Sequence, residues 1–154
     1  MAQIAKLEVQ LEIKSSAEKF FEIFSCKQHL IPKMCPEIIK DIKVIKGDWK
    51  SVGSIKEWSY IAGSAETSKE MVEEIDEKNK SITFKIIDGE MTKYYKNVKS
   101  TIHATENIGQ KLGSSVKWTL QYEKMNDNIP DPTKYAELIS VFIKTADAYL
   151  IKNA

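Results

Sequence analysis

Between Tyr135 and Leu150 the apolar residues Tyr135, Leu138, Ile139, Phe142, Ile143, Ala146, Tyr149 and Leu150 recur at steps of three and four. That spacing lays one broad apolar stripe along a helix of about five turns. Asp127–Thr133 precedes it with two prolines. Pro132 suits a first helical turn, where its missing N–H is harmless, and Asp131 or Asp127 is placed to cap. A stripe this wide needs a partner surface, and nearly everything upstream alternates with a period of two. A sheet with one apolar face must also be covered, and this helix is the only element large enough to do it. The chain is therefore expected to be α+β, a curved antiparallel sheet wrapped around one long C-terminal helix.

The strands are read from alternation. Leu7, Val9, Leu11 and Ile13 alternate with Glu8, Gln10 and Glu12, so one face is dry and the other wet. Ile39, Ile42 and Ile45 mark a second strand on a less regular spacing of three. Ile55–Tyr60, Thr67–Ile75, Ser81–Ile87, Tyr95–Thr105 and Ser115–Glu123 follow, the last with the cleanest alternation in the chain. Seven strands joined by short turns, among them the polar turn Asp76–Lys80, predict an antiparallel meander. After the first strand, Ser15 and Glu18 have the spacing of a capping box and Phe20, Phe21 and Phe24 form the stripe of a short helix. A second short turn is predicted over Lys27–Ile31, ended by Pro32 and Pro36. No linker, repeat or low-complexity tract interrupts residues 1–154, which are expected to be one domain.

Charge narrows the class of partner. All 23 cationic residues are lysine, and 22 acidic residues offset them to a net charge of +1. Near-neutral charge without arginine disfavours a nucleic-acid reader, whose affinity rests on phosphate neutralisation and on the guanidinium fork. No apolar run approaches a membrane span, and the N-terminal stretch lacks a signal peptide's apolar core, so a cytoplasmic protein is expected. Cys26 and Cys35 are too few for a disulfide framework and read as reduced thiols. With only His29 nearby, neither a metal site nor an activated cysteine is expected.

The segments KSSAEKFFEIF, HLIPKMCPE, KGDWKSVGSIKEW, EEIDEKNKSITFKIIDGEM and VKWTLQYEKMNDNIPDPTKY, in this order and along the whole chain, resemble plant major latex proteins. These belong to the superfamily of the birch pollen allergen and the intracellular pathogenesis-related proteins. The resemblance implies a START-like helix-grip fold, seven strands around a long helix with a large apolar cavity between them. GDWKSVG occupies the place of the superfamily's glycine-rich loop but keeps only Gly47 and Gly53. It has no phosphate-loop spacing and no following helix, so it reads as a turn between strands.

From pattern alone the inward aromatic residues would be ordinary core. The resemblance implies that they line a hollow. On the strands and the first helix these are Phe24, Ile39, Trp58, Tyr60, Ile82, Phe84, Ile86, Val98, Ser100, Ile102, Trp118 and Leu120, with Lys56 the one inward cation. The long helix adds Tyr135, Leu138, Ile139 and Phe142, and His29 is expected beside the cavity mouth, near the Gly47–Gly53 loop. The expected partner is an apolar small molecule such as a sterol, lipid, phytohormone or terpenoid, carried without cofactor or metal by a monomer or weak dimer. The alternative implied by the superfamily is an enzyme that cyclises, condenses or isomerises a terpenoid or alkaloid intermediate. Lys56, Tyr60 and Tyr135 would then act, with Lys69 or Glu70 as further parts. A weaker alternative is a ribonuclease using Lys56, Asp147 and Tyr149. His103 falls on the outer face of its strand.

Overall fold

In the computed structural model, which describes residues 4–109 and 112–153, the alternating segments pair into one antiparallel sheet. Its strands are β1 (Ile4–Ile13), β2 (Ile39–Lys46), β3 (Ile55–Ala62), β4 (Ser64–Asp76), β5 (Ser81–Gly89), β6 (Tyr95–Glu106) and β7 (Ser114–Lys124). The spatial order is β1-β7-β6-β5-β4-β3-β2, so β2 to β7 meander and β1 closes the far edge beside β7. Leu7 stands opposite Leu120 and Val9 opposite Trp118 in that last pairing. Helices α1 (Ala17–Ser25) and α2 (Ile31–Met34), separated by a 3-10 turn at Gln28–Leu30, join β1 to β2. Helix α3 (Thr133–Lys152) covers the sheet's inner face, burying Tyr135, Ile139, Phe142, Ile143 and Ala146.

Several local expectations are corrected by long-range partners. The α1 cap is Ser16, whose side chain accepts from the Lys19 amide at 3.2 Å, not Ser15 in a box with Glu18. Ser15 is drawn away by Asp147 of α3, which accepts from the Lys14 amide at 3.0 Å, the Ser15 amide at 2.9 Å and the Ser15 hydroxyl at 2.6 Å. Glu106 of β6 accepts from the Ala17 amide, so a distant strand completes the helix start. Neither Asp127 nor Asp131 caps α3. Pro132 occupies the cap position without a side-chain bond, and Asp131 instead pairs with Lys124 at 2.9 Å. Pro32 lies in the first turn of α2 and begins it, where its fixed φ is an advantage.

The odd spacing of β2 also has a structural cause. Register shifts between Ile39 and Asp41 and between Val44 and Lys46 break strict alternation, so Ile39 and Ile42 both point inward. Ile45 faces solvent.

The turn before β3 is tied down by the protein's own groups. Gly47 has φ +83°, and a Cβ there would come within 2.4 Å of the Ser54 hydroxyl. Asp48 then folds its carboxylate over the loop, accepting from the amides of Lys50 and Ser51 at 2.9 and 2.7 Å. Its own amide donates to Ser54 Oγ, and the Gly53 amide donates to the Val72 carbonyl. The amides of Asp48, Lys50, Ser51 and Gly53 are thus bonded within the protein, around the Asp48 carboxylate.

Candidate functional site

Between α3 and the inner face of the sheet lies a cavity with about 670 Å³ of atom-free space, solvent at its opening included. The lining is built from strand residues of one parity: Ile39 on β2, Trp58 and Tyr60 on β3, Ser68 and Glu70 on β4, Phe84 on β5. Ser100 and Ile102 on β6 and Trp118 and Leu120 on β7 continue it, with Phe24 of α1 and Met91 after β5. Tyr135, Leu138, Ile139 and Phe142 close it from α3 at the three- and four-residue steps that its stripe requires.

The apolar end is an aromatic cluster. Phe24 meets Trp118 edge-on at 5.4 Å between ring centres, and Phe142 lies 5.5 Å from Phe24, 5.6 Å from Trp118 and 6.4 Å from Trp58. Edge-on and tilted pairs of this kind add about 0.5–1.5 kcal/mol each beyond their area. Trp118 donates its indole N–H to Ser100 at 2.7 Å, so its polar edge is satisfied within the sheet.

At the other end, Glu66 of β4 is buried and collects three donors. Tyr60 and Tyr135 donate to Oε1 at 3.2 and 2.6 Å, and Lys134 pairs with Oε2 at 2.5 Å. This ties β3, β4 and the first turn of α3 together. Burial raises both phenols far above the ordinary tyrosine range. For Tyr60 the charges of Tyr135 and Glu66 add to it, and for Tyr135 the bond to Glu66 does. Both phenols therefore keep their protons, and both O–H groups donate to Glu66. Glu66 and Tyr60 also border a second, outer recess with Lys40, Thr67 and Glu90.

Lys56 is the buried cation. Its Nζ has no hydrogen-bond partner and stands 5.9 Å above the Trp49 ring. Burial lowers its pKa, while Glu70 and then Asp48 pull it back up. Glu70, its cross-strand partner, is pushed up to about 7 by burial against the opposing pull of Lys56. Trp58, two residues along β3, has an indole N–H without an acceptor.

Of the residues expected around the hollow, Lys56, Ile82, Ile86 and Val98 are buried outside the cavity lining. His29 is exposed and lies 5.5 Å from Trp49, so it too stands outside the lining. Trp49 of the Gly47–Gly53 loop packs, partly buried, against the core beside His29. Lys69 points outward toward Asp88, and Asp147 is consumed by the turn before α1. Glu66, Ser68 and Met91 join the site without having been singled out. The signal for the first two was a strand face carrying Glu66, Ser68 and Glu70 in succession, beside the apolar faces of its neighbours. Among the described residues, no group of His, Cys, Asp and Glu is arranged to hold a metal, and no helix is long and apolar enough to cross a membrane.

Comparison with known proteins agrees with this geometry. MLP-like protein 34 of Arabidopsis thaliana is 38% identical over 94% of the chain, which spans only 46% of that relative. A crystal structure of ginseng major latex-like protein 151 from Panax ginseng superposes with a TM-score of 0.88 at 32% identity, covering 95% of this chain and 97% of that one. Norcoclaurine synthase from Thalictrum flavum, solved with dopamine and hydroxybenzaldehyde, shares the fold at 18% identity and a TM-score of 0.80, covering 99% of this chain and 90% of that one. The family model described as "Pathogenesis-related protein Bet v 1 family" matches residues 2–153. With its seven-stranded helix-grip sheet, the chain belongs to the Bet v 1 family, among its major latex protein-like members.

Proposed function

We propose that the protein binds and carries an apolar small molecule in the cavity beneath α3. The observation that carries this reading is the lining itself: a concave, mainly aromatic and aliphatic surface interrupted by a few placed polar groups. A sterol, lipid, phytohormone or terpenoid-type metabolite fits that chemistry, and plant defence or specialised metabolism fits the family. Two free thiols, Cys26 and Cys35, support a cytoplasmic site of action. Displacement of a fluorescent apolar probe, with Trp58 and Trp118 as reporters inside the lining, tests it. Micromolar binding of apolar ligands is expected, and the failure of every apolar ligand at that level would sink the proposal.

A second reading is favoured by one observation, the lysine–carboxyl pair of Lys56 and Glu70 with both pKa values drawn toward neutrality. Such a pair can move a proton on a trapped intermediate, so that the cavity would cyclise, condense or isomerise it without a cofactor. In that reaction Tyr60 and Tyr135 position Glu66 and shape the wall, since their protons are committed. Comparing product ratios from a candidate intermediate with wild type, Lys56→Ala and Tyr60→Phe decides it. A ratio unmoved by Lys56→Ala removes this reading. The ribonuclease alternative loses Asp147, whose carboxylate is already held by three donors.

A further inference from the structure

The sheet ends in two edge strands, β1 and β2, and they are built differently. β2 is blunted: two register shifts kink it, and Lys40, Lys43 and Lys46 stand exposed along it. β1 carries neither shift. It contains no proline or glycine and runs against β7 in unbroken register from Ile4 to Ile13. Alternate residues of an antiparallel edge strand turn their N–H and C=O groups away from the sheet. Among the described residues, no backbone bond joins Ile4–Ile13 to anything but β7. Asp147 of α3 takes up the amides of Lys14 and Ser15, just past the strand's end. An edge this long and regular can accept another strand along its whole length.

We propose that β1 is an interaction edge whose partner is a second copy of this chain, its own β1 running antiparallel about a two-fold axis at Val9. Faces and charges select that register. Directly opposite residues must point to the same side of the sheet, so the axis passes through a residue and not between two. Centred on Val9, Lys6 of one protomer stands opposite Glu12 of its partner, and the reverse follows by symmetry. Both side chains are exposed, and neither is in an ion pair among the described residues. Centring on Glu8 sets two Glu8 carboxylates face to face. Centring on Gln10 opposes Lys6 to Lys14 and Glu8 to Glu12, and centring on Leu7 or Leu11 shortens the ladder. On the inner face Leu7 then meets Leu11 and Val9 meets Val9. All three are only partly buried in one protomer, and the second strand covers them.

The assembly stops at two. The contact uses the same patch on both protomers, so the two-fold axis closes it. The other edge, β2, offers no unbroken ladder from which further copies could grow. The contact is one strand wide, which places it among weak, concentration-dependent interfaces. Two exposed Lys6–Glu12 pairs add little affinity and chiefly fix the register, because the rival alignments oppose like charges.

Sedimentation equilibrium of the intact protein at low salt tests it, with hydrogen exchange followed as protein concentration rises. A monomer–dimer equilibrium with a Kd of about 0.1 mM is expected. Lys6→Glu opposes two carboxylates and Glu12→Lys opposes two ammonium groups, so each is expected to raise that Kd at least about tenfold. The double variant Lys6→Glu/Glu12→Lys restores opposite charges and is expected to return within about threefold of the wild type. Alternate amides of β1 are expected to exchange more slowly as the dimer fills, while those of β2 do not change. A protein still monomeric at about 1 mM overturns the proposal. Single variants that dimerise like the wild type, or a double variant that stays as weak as the singles, overturn it too. So does a dimer in which β1 exchange is unmoved, since the contact then lies elsewhere.

Discussion

Glu70 carries a measurable signature at the level of a single side chain. Its carboxyl titrates near 7 in the folded protein and near the ordinary glutamate value of 4.5 when unfolded. The folded state thus holds the extra proton between those values, so the contribution of Glu70 to stability is full below about 4.5 and is lost as pH rises through about 7. The Glu70→Gln variant is expected to flatten that loss, which amounts to on the order of 3 kcal/mol in the wild type. Urea denaturation midpoints collected across the window read it. A wild-type curve already flat there would refute the assignment. Other residues are eloquent through what they already touch. Ser15 and Ser16 look interchangeable as caps, and only the carboxylate of Asp147, 132 positions away, decides between them. No spacing rule contains that information.

Among the elements, α3 is anchored at two places, and each anchor gives a prediction. Near its start, Glu66→Ala would strand the Tyr60 and Tyr135 hydroxyls and release Lys134. A loss of about 2–3 kcal/mol is expected, with faster amide hydrogen exchange confined to the first turns of α3. Near its other end, Asp147→Ala removes the acceptor of three bonds to the turn before α1. The expected cost is about 2 kcal/mol in chemical denaturation, with exchange rising in the turn and at the start of α1 instead. Equal exchange patterns in the two variants would contradict two separate anchors.

Legibility differed between elements for physical reasons. The alternation of Ser115–Glu123 and the stripe of α3 announce themselves because one face is apolar and the other charged. β4 is polar on both faces, so its inward Glu66, Ser68 and Glu70 become visible only when pairing with β3 fixes which parity points inward. β2 obscures its own period through two register shifts. Pro32 looks like a stop yet begins α2, since proline suits a first turn as well as a break.

In the whole molecule, one wide-grasping sheet and one helix leave a space whose size is set by a few aromatic rings. The Phe142 ring lies near those of Phe24, Trp58 and Trp118 and lines the cavity, so it takes up space at the aromatic end. Phe142→Ala is expected to cost about 3–5 kcal/mol of stability and to admit bulkier apolar probes than the wild type accepts. Thermal denaturation and probe displacement with ligands of graded width measure the two effects together. A variant that loses stability without gaining bulky ligands would show that the wall collapses into the space.

The clamp of two phenols on Glu66 also gives the protein an optical property. A phenol that ionises in alkali adds the ultraviolet band of a phenolate. Tyr60 and Tyr135 should stay dark while the clamp holds and appear only when that end of the cavity lets water in. Alkaline absorbance thus becomes a clock for the opening of one wall. A ligand that braces the wall from inside should slow it.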